Sequence, residues 1–204
     1  LLDVPLSSIH HVVTVSDLKS GKVKTGYGIV FASISKIDID KGFPLQIIRT
    51  QCNSCQRKME ACDPPADFDI SAPGKPQPNE LSKQFVMCNT PECPAAKQRF
   101  IISDNQHVQA EFQVFIDLSD HTGTRARCLL AGKVAENLLC ATVPQFISLE
   151  RKEIAKMKWK LCLRRFKVYF WMEQASYNNP NPLLYIMSVE KPSAFEVMTS
   201  FKSF

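Results

Sequence analysis

The chain has 204 residues, 45% of them hydrophobic, and carries 25 Lys and Arg against 20 Asp and Glu for a net charge of +5. That content suits one domain with an insertion; no apolar run reaches the roughly 18 residues of a membrane span, and the modest basic excess permits a polyanionic partner without demanding one. The start "LLDVPLSSIHHVV" lacks the basic flank, apolar block and small-residue cleavage site of a signal peptide, so its eight cysteines are not read as a secreted disulfide framework, and its abruptness suggests a fragment of a longer protein.

In chain order, "GYGIVFASISKIDID" (26–40) alternates apolar with small or polar residues and then shifts phase, which predicts a long, bulged strand. "LQIIRTQ" predicts an extended lead into Cys52 and Cys55, and "KQFVM" a second one into Cys88 and Cys93. Asn53-Ser54 and Asn89-Thr90-Pro91-Glu92 supply turn chemistry between the paired cysteines. Two such hooks facing one another would offer four thiolates in the tetrahedral shell of a structural Zn²⁺, so Cys52, Cys55, Cys88 and Cys93 are the expected ligands of a zinc ribbon inserted at about 46–100. Cys62 runs into the proline-rich interval 63–84, expected to be a flexible loop, and is left out of the set. A redox C-x-x-C would need a helix after its strand, and none is evident. Cys128, Cys140 and Cys162 lie in apolar surroundings and read as core thiols.

"QAEFQVFIDLSDHTGTRARCLLAG" (109–132) reads as a hairpin with Phe112, Val114, Ile116 and Leu118 on its inner face. "GKVAENLL" opens a short helix, and "TVPQFISLERKEIAKMKW" has helical spacing throughout. "KLCLRRFKVYFWMEQAS" and "LLYIMSVEKP" read as strands about the turn "YNNPNP", and "SAFEVMTSFKSF" as a terminal helix with Ser193 and Glu196 forming a capping box. Five strands with a helix between the third and fourth is the order of an all-β OB-fold barrel, here with an inserted zinc ribbon and a C-terminal helix (193–204), the whole of 1–204 forming one domain.

The blocks "TVSDLK", "YGIVFASISKIDID", "CNSC", "FIDLSDHTGT", "AGKVAENLL" and "MKWKLCLRRFKVYF" resemble the C-terminal, ribbon-bearing OB domain of the replication protein A large-subunit superfamily, and within it the meiosis-specific family with OB domains. The long interval 63–84 and the four-residue gap of the second hook depart from the pattern. The resemblance implies a nuclear, chromosome-associated protein of meiotic homologous recombination. Its implied partners are single-stranded DNA, replication protein A and a spermatogenesis-associated OB partner protein. In resembling large subunits the helix after the last barrel strand joins a bundle with partner helices. That would make Ala194, Val197, Met198 and Phe201 partner-binding, whereas folding back over the barrel mouth would make them core. A subunit of another DNA-repair complex, such as shieldin, is a further implied alternative.

OB-folds hold single strands with basic groups along the backbone and aromatic rings under the bases. Strand alternation places Arg125 with Arg127, groups Arg165, Lys167, Tyr169 and Trp171 on one face, and sets Phe115 among polar neighbours. These seven are the expected nucleic-acid contacts, although the rings would serve equally as filling under a helix, or under a protein that covers the barrel. The most basic stretch, "ERKEIAKMKWKLCLRRFK", reads as a solvated helix face. Asp117, Asp120 and His121 fall at a turn they favour, with no paired carboxylate for metal-assisted hydrolysis, so neither catalysis in general nor the exonuclease activity linked to the wider family is expected.

Overall fold

The computed structural model describes residues 4–23, 25–40, 46–66, 84–162, 164–173 and 182–200. Residues 67–83 of the expected loop, and Phe201, lie outside them. The elements are β1 (Val12–Val13), α1 (Val15–Lys19), β2 (Gly26–Ile37), β3 (Ile48–Cys52), β4 (Glu60–Cys62), β5 (Phe85–Met87), β6 (Arg99–Ile101), β7 (Val108–Asp120) and β8 (Gly123–Ala131). Three helices follow, α2 (Gly132–Leu139), α3 (Val143–Ser148) and α4 (Arg151–Cys162), then β9 (Arg165–Met172), β10 (Leu184–Glu190) and α5 (Ala194–Ser200).

Five strands close into a barrel. β2 pairs antiparallel with β9 through Gly26–Ser33 and with β7 through Ser33–Ile37; β7 and β8 form the expected hairpin, β8 meets β10 in parallel, and β10 returns antiparallel to β9. This is the expected OB-fold, with its helices between the third and fourth barrel strands. The phase shift in β2 is a bulge between Ile34 and Lys36, which bends the strand from one neighbour to the other. Phe112, Val114, Ile116 and Leu118 are all buried in the core with Val30, Ala32, Leu130, Val168 and Phe170. Each large side chain so buried contributes about 1.5–3 kcal/mol.

The insertion between β2 and β7 starts from the barrel itself, because β3 pairs with the first half of β7, from Ile48↔Phe112 to Cys52↔Val108. β4, β5 and β6 form a separate three-stranded antiparallel sheet.

Three local expectations are corrected. The helix expected over 142–159 is broken at Leu149, whose extended backbone (φ −71°, ψ 144°) ends α3, and the Glu153 carboxylate accepts from the Glu150 N–H at 3.0 Å to start α4. The strand expected from Lys160 starts at Arg165, since Ile154 and Leu161, seven residues apart, carry one buried helical stripe to Cys162. Cys140 is exposed rather than core: it terminates α2 in the left-handed region at φ 53°.

β1 and α1 are too short to show periodicity in the sequence and add to the expected elements. Thr14 and Asp17 form a capping box for α1, and the β7–β8 turn caps it a second time, with the Val15 N–H donating to Asp120 Oδ2 at 2.9 Å and the Ser16 N–H to Thr122 Oγ1 at 2.9 Å. Gly28 is a close approach. A Cβ there would lie 2.6 Å from Phe170 Cζ and 3.3 Å from the His11 carbonyl oxygen, which already accepts the Ile29 N–H of the β1–β2 ladder. Phe170 is fully buried and cannot yield. Gly28→Ala is therefore expected to destabilise the domain by about 1–3 kcal/mol, read as a lowered urea midpoint with unchanged slope.

Candidate nucleic-acid interface and four-cysteine cluster

The two hooks meet. Cys52 and Cys93 sulfurs are 3.7 Å apart, Cys55 and Cys88 sulfurs 3.6 Å, and all four lie within 4.8 Å of one another. A disulfide holds its sulfurs at about 2.05 Å, whereas a tetrahedral ion with bonds of about 2.3 Å spaces them near 3.8 Å, so the spacing suits four ligands of one ion. Cys52, Cys88 and Cys93 are buried; Cys62, on β4 opposite Phe85, is not in the cluster.

Backbone shapes each hook. The Gln56 N–H donates to the Cys52 carbonyl at 2.7 Å and the Lys97 N–H to the Cys88 carbonyl at 2.9 Å, with Gln56 and Lys97 themselves at φ 58° and 60°. The Arg57 N–H bonds the Cys55 sulfur and, with help from Thr90 and the neighbouring thiols, draws its pKa down to about 6. At Cys93 the Ala95 N–H acts in the same sense, but burial and the Cys52, Cys55 and Cys88 thiols outweigh it and push the group up to about 12. The four thiols thus titrate as one coupled group, as sulfurs gathered within 4.8 Å of one another must.

On the barrel, β7 and β8 present Phe115 and Arg127 outward: the ring is 38% exposed and the guanidinium lies 4.6 Å from its centroid. Arg125 and Arg127 do not share a face as alternation would have it. Ile116 pairs with Cys128 and Leu118 with Arg125, so β8 holds one extra residue in a bulge, with Arg127 at φ 58° and its N–H bonded to Asp117 Oδ1 at 3.0 Å. Arg125 sits opposite the buried Leu118 and donates to the Pro182 carbonyl at 2.6 Å, bracing the entry to β10. Asp117 thus pins the bulge. Asp120, although burial pushes its pKa up, is held below the usual value by the Thr122 hydroxyl and the Val15 and Thr122 amides. Both carboxylates serve backbone geometry.

Arg165, Lys167, Tyr169 and Trp171 do share the outer face of β9, but their surroundings differ. Tyr169 is 7% exposed, buried with Ile9, Ile29 and Phe31, and Leu6 of the N-terminal segment packs against this cluster. Arg165 donates to the Phe31 carbonyl at 3.3 Å. Lys167 lies 5.2 Å from the Tyr169 ring and 2.6 Å from Glu196 Oε1 of α5. Between the N-terminal segment, this face and Glu196 runs a cleft of about 410 Å³. Trp171 remains half-exposed, and the register sets Tyr27 and Tyr185 directly beside it, with the Tyr185 ring 5.1 Å away. Residue spacing does not single out those two tyrosines: each lies in an expected strand, but only cross-strand register puts three rings in a row. On α5, Ser193 and Glu196 make the expected box, Phe195 and Met198 are 72% and 58% exposed, Ala194 is exposed and Val197 half-buried.

No protein-family model matches the chain. Among curated proteins, the meiosis-specific with OB domain-containing proteins of Rattus norvegicus and Macaca fascicularis are each 31% identical over 172 residues, 81% of this chain and 30% of theirs. The chain belongs to the family of meiosis-specific proteins with OB domains. Protein hold'em of Drosophila melanogaster is 33% identical over 89 residues, 42% of the chain and 18% of that protein. A solved replication protein A heterotrimer bound to single-stranded DNA superposes with a TM-score of 0.62 over 95% of this chain and 39% of that one, at 11% identity, a likeness of fold. The chain spans about 30% of the length of the meiosis-specific relatives.

In this family member the α5–barrel contact is sensitive to acid. The Lys167 ammonium, then the Ser193 amide and hydroxyl, lower Glu196 from 4.5 to about 2, and Glu196 raises Lys167 in turn. A depressed carboxylate stabilises above its unfolded pKa and loses that contribution as pH falls through the folded value. The α5 contact is expected to hold from neutrality to about pH 4.5 and to loosen toward pH 2, a step visible in the Val197 methyl shifts and absent in Glu196→Gln.

Proposed function

We propose that this chain is a single-stranded-DNA-binding and partner-docking OB domain, acting on chromosomes in the nucleus during meiotic homologous recombination. The observation that carries the reading is the outer face of β7–β8, where an exposed phenyl ring lies under a guanidinium on the strands with which OB-folds hold oligonucleotides. Phe115 and the guanidinium stacked on it offer a base a joint platform, and the N–H groups of Arg127 reach the adjoining phosphate. Arg125 acts from behind, holding the Pro182 carbonyl at the entry to β10, and the Tyr27, Trp171 and Tyr185 row gives a second set of rings. Lys167, Arg165 and Tyr169 are engaged by α5 and the barrel and serve as support. In this reading the chain is a binding protein and not an enzyme, since Asp117 and Asp120 are committed to backbone amides. Among the described residues no helix is long and apolar enough to cross a membrane, and no membrane role is proposed.

Partner docking is favoured by α5, whose Phe195 and Met198 stand exposed beside Ala194, with Val197 nearer the barrel. The family resemblance makes a spermatogenesis-associated OB protein the proposed occupant, with replication protein A in the same assembly. The ribbon is proposed to hold one Zn²⁺ through Cys52, Cys55, Cys88 and Cys93. The ion would supply structural cross-linking alone, four thiolates leaving no open position.

Elemental analysis is expected to find one zinc per chain, to lose it in Cys52→Ser and Cys93→Ser, and to keep it in Cys62→Ser. For DNA, fluorescence anisotropy with a labelled oligothymidine should show affinity falling with salt. Phe115→Ala should weaken binding by about 1–3 kcal/mol. Arg127→Glu should flatten the log–log salt slope by about 0.7 or more. Salt-independent binding that ignores both substitutions would refute the assignment of this face.

A further inference from the structure

The helix α4 presents a surface that the barrel reading does not use. At 100° per residue, Lys152, Lys156, Trp159 and Lys160 fall within one stripe about 100° wide, opposite the buried Ile154 and Leu161. All four are exposed, Trp159 at 63%. Among the described residues no ion pair joins Lys152, Lys156 or Lys160 to a carboxylate. Of the acids beside this helix, Asp40 and Asp38 hold Lys158 at 2.7 and 4.0 Å, and Glu153 accepts the Glu150 N–H. One side of the helix therefore neutralises its charge against the end of β2, while the other leaves three ammonium groups facing solvent around an indole.

We infer that this stripe is a second nucleic-acid contact, in which Lys152, Lys156 and Lys160 meet successive phosphates and Trp159 stacks on an unpaired base. Lysines one turn apart advance about 6 Å along the axis per step, forming a row of point charges suited to a phosphodiester strand. A partner helix would instead need several apolar anchors spaced over the same face, and the stripe offers only Trp159. Base stacking asks for a single exposed ring flanked by cations, and that is what stands there. The ligand class rests on the single-strand reading above; the site is separate from the β7–β8 face.

The chain contains two tryptophans, Trp159 and Trp171, so in Trp171→Phe the indole emission reports Trp159 alone. Titrating the full chain carrying that change with oligothymidine is expected to quench the emission to saturation. In the otherwise native chain, Trp159→Ala should weaken anisotropy-detected binding about tenfold. The triple change Lys152→Glu, Lys156→Glu, Lys160→Glu should lower the log–log salt slope by about 2, at about 0.7 per phosphate on a single strand, with thermal unfolding unchanged. Oligothymidine binding that responds to Phe115→Ala but neither quenches Trp159 nor notices the triple change overturns this inference and leaves the barrel reading standing. Absence of oligonucleotide binding in every form overturns both. Quenching by polyglutamate as strong as that by oligothymidine overturns it in favour of an acidic protein segment.

Discussion

The closed barrel depends on β2 holding different neighbours along its length. One edge pairs with β9 through Ser33; the other is taken first by β1, at Val12↔Ile29, and then by β7 from Ser33 onward. A straight strand could not turn from one partner to the next. The bulge between Ile34 and Lys36 supplies the bend, and the two-residue β1 covers the stretch of edge that β7 does not reach, where unpaired amides would otherwise invite another strand. The surface of the molecule follows from this closure: the hairpin turn reaches α1 and caps it with Asp120, and β7 has an early half free to pair with β3 and carry the insertion.

Polar groups at the barrel rim are spent on backbone, and this sorts the seven residues that charge and aromaticity single out. Arg125 and Arg165 donate to main-chain carbonyls, Lys167 binds Glu196, and Tyr169 is buried. Phe115 and Arg127 lie against each other on an outer face, and Trp171 is half-exposed in a row with Tyr27 and Tyr185. Residue type marks a capacity to bind, and packing decides which residues retain it.

The barrel was largely legible in the residues because its signals are local. Phe112, Val114, Ile116 and Leu118 alternate without interruption, and Ser193 and Glu196 name a helix start. The cysteine cluster was legible for another reason, since two short hooks can meet only by facing one another. What could not be read was register. The extra residue in β8 separates Arg125 from Arg127, and nothing in "TRARC" announces it, because the bulge is fixed by a carboxylate ten positions away in sequence. The boundary at Leu161–Cys162 was missed because apolar runs of that length suit helix and strand alike. The short α1 was passed over although Thr14 and Asp17 carried its cap, because five residues give no periodicity to find.

The thiol cluster separates the geometry of the insertion from the length of chain within it. Cys55 and Cys88, 33 positions apart, come within 3.6 Å of each other, and β3 anchors one side of that junction directly to the barrel. Between the hooks β4 pairs with β5, and Met59, Phe85 and Val86 are buried, so the two arms are tied by strand pairing as well as by the junction. Chain length added between two strands so tied costs only about 0.6 kcal/mol of closure entropy per doubling, little beside the pairing and burial that hold the arms together.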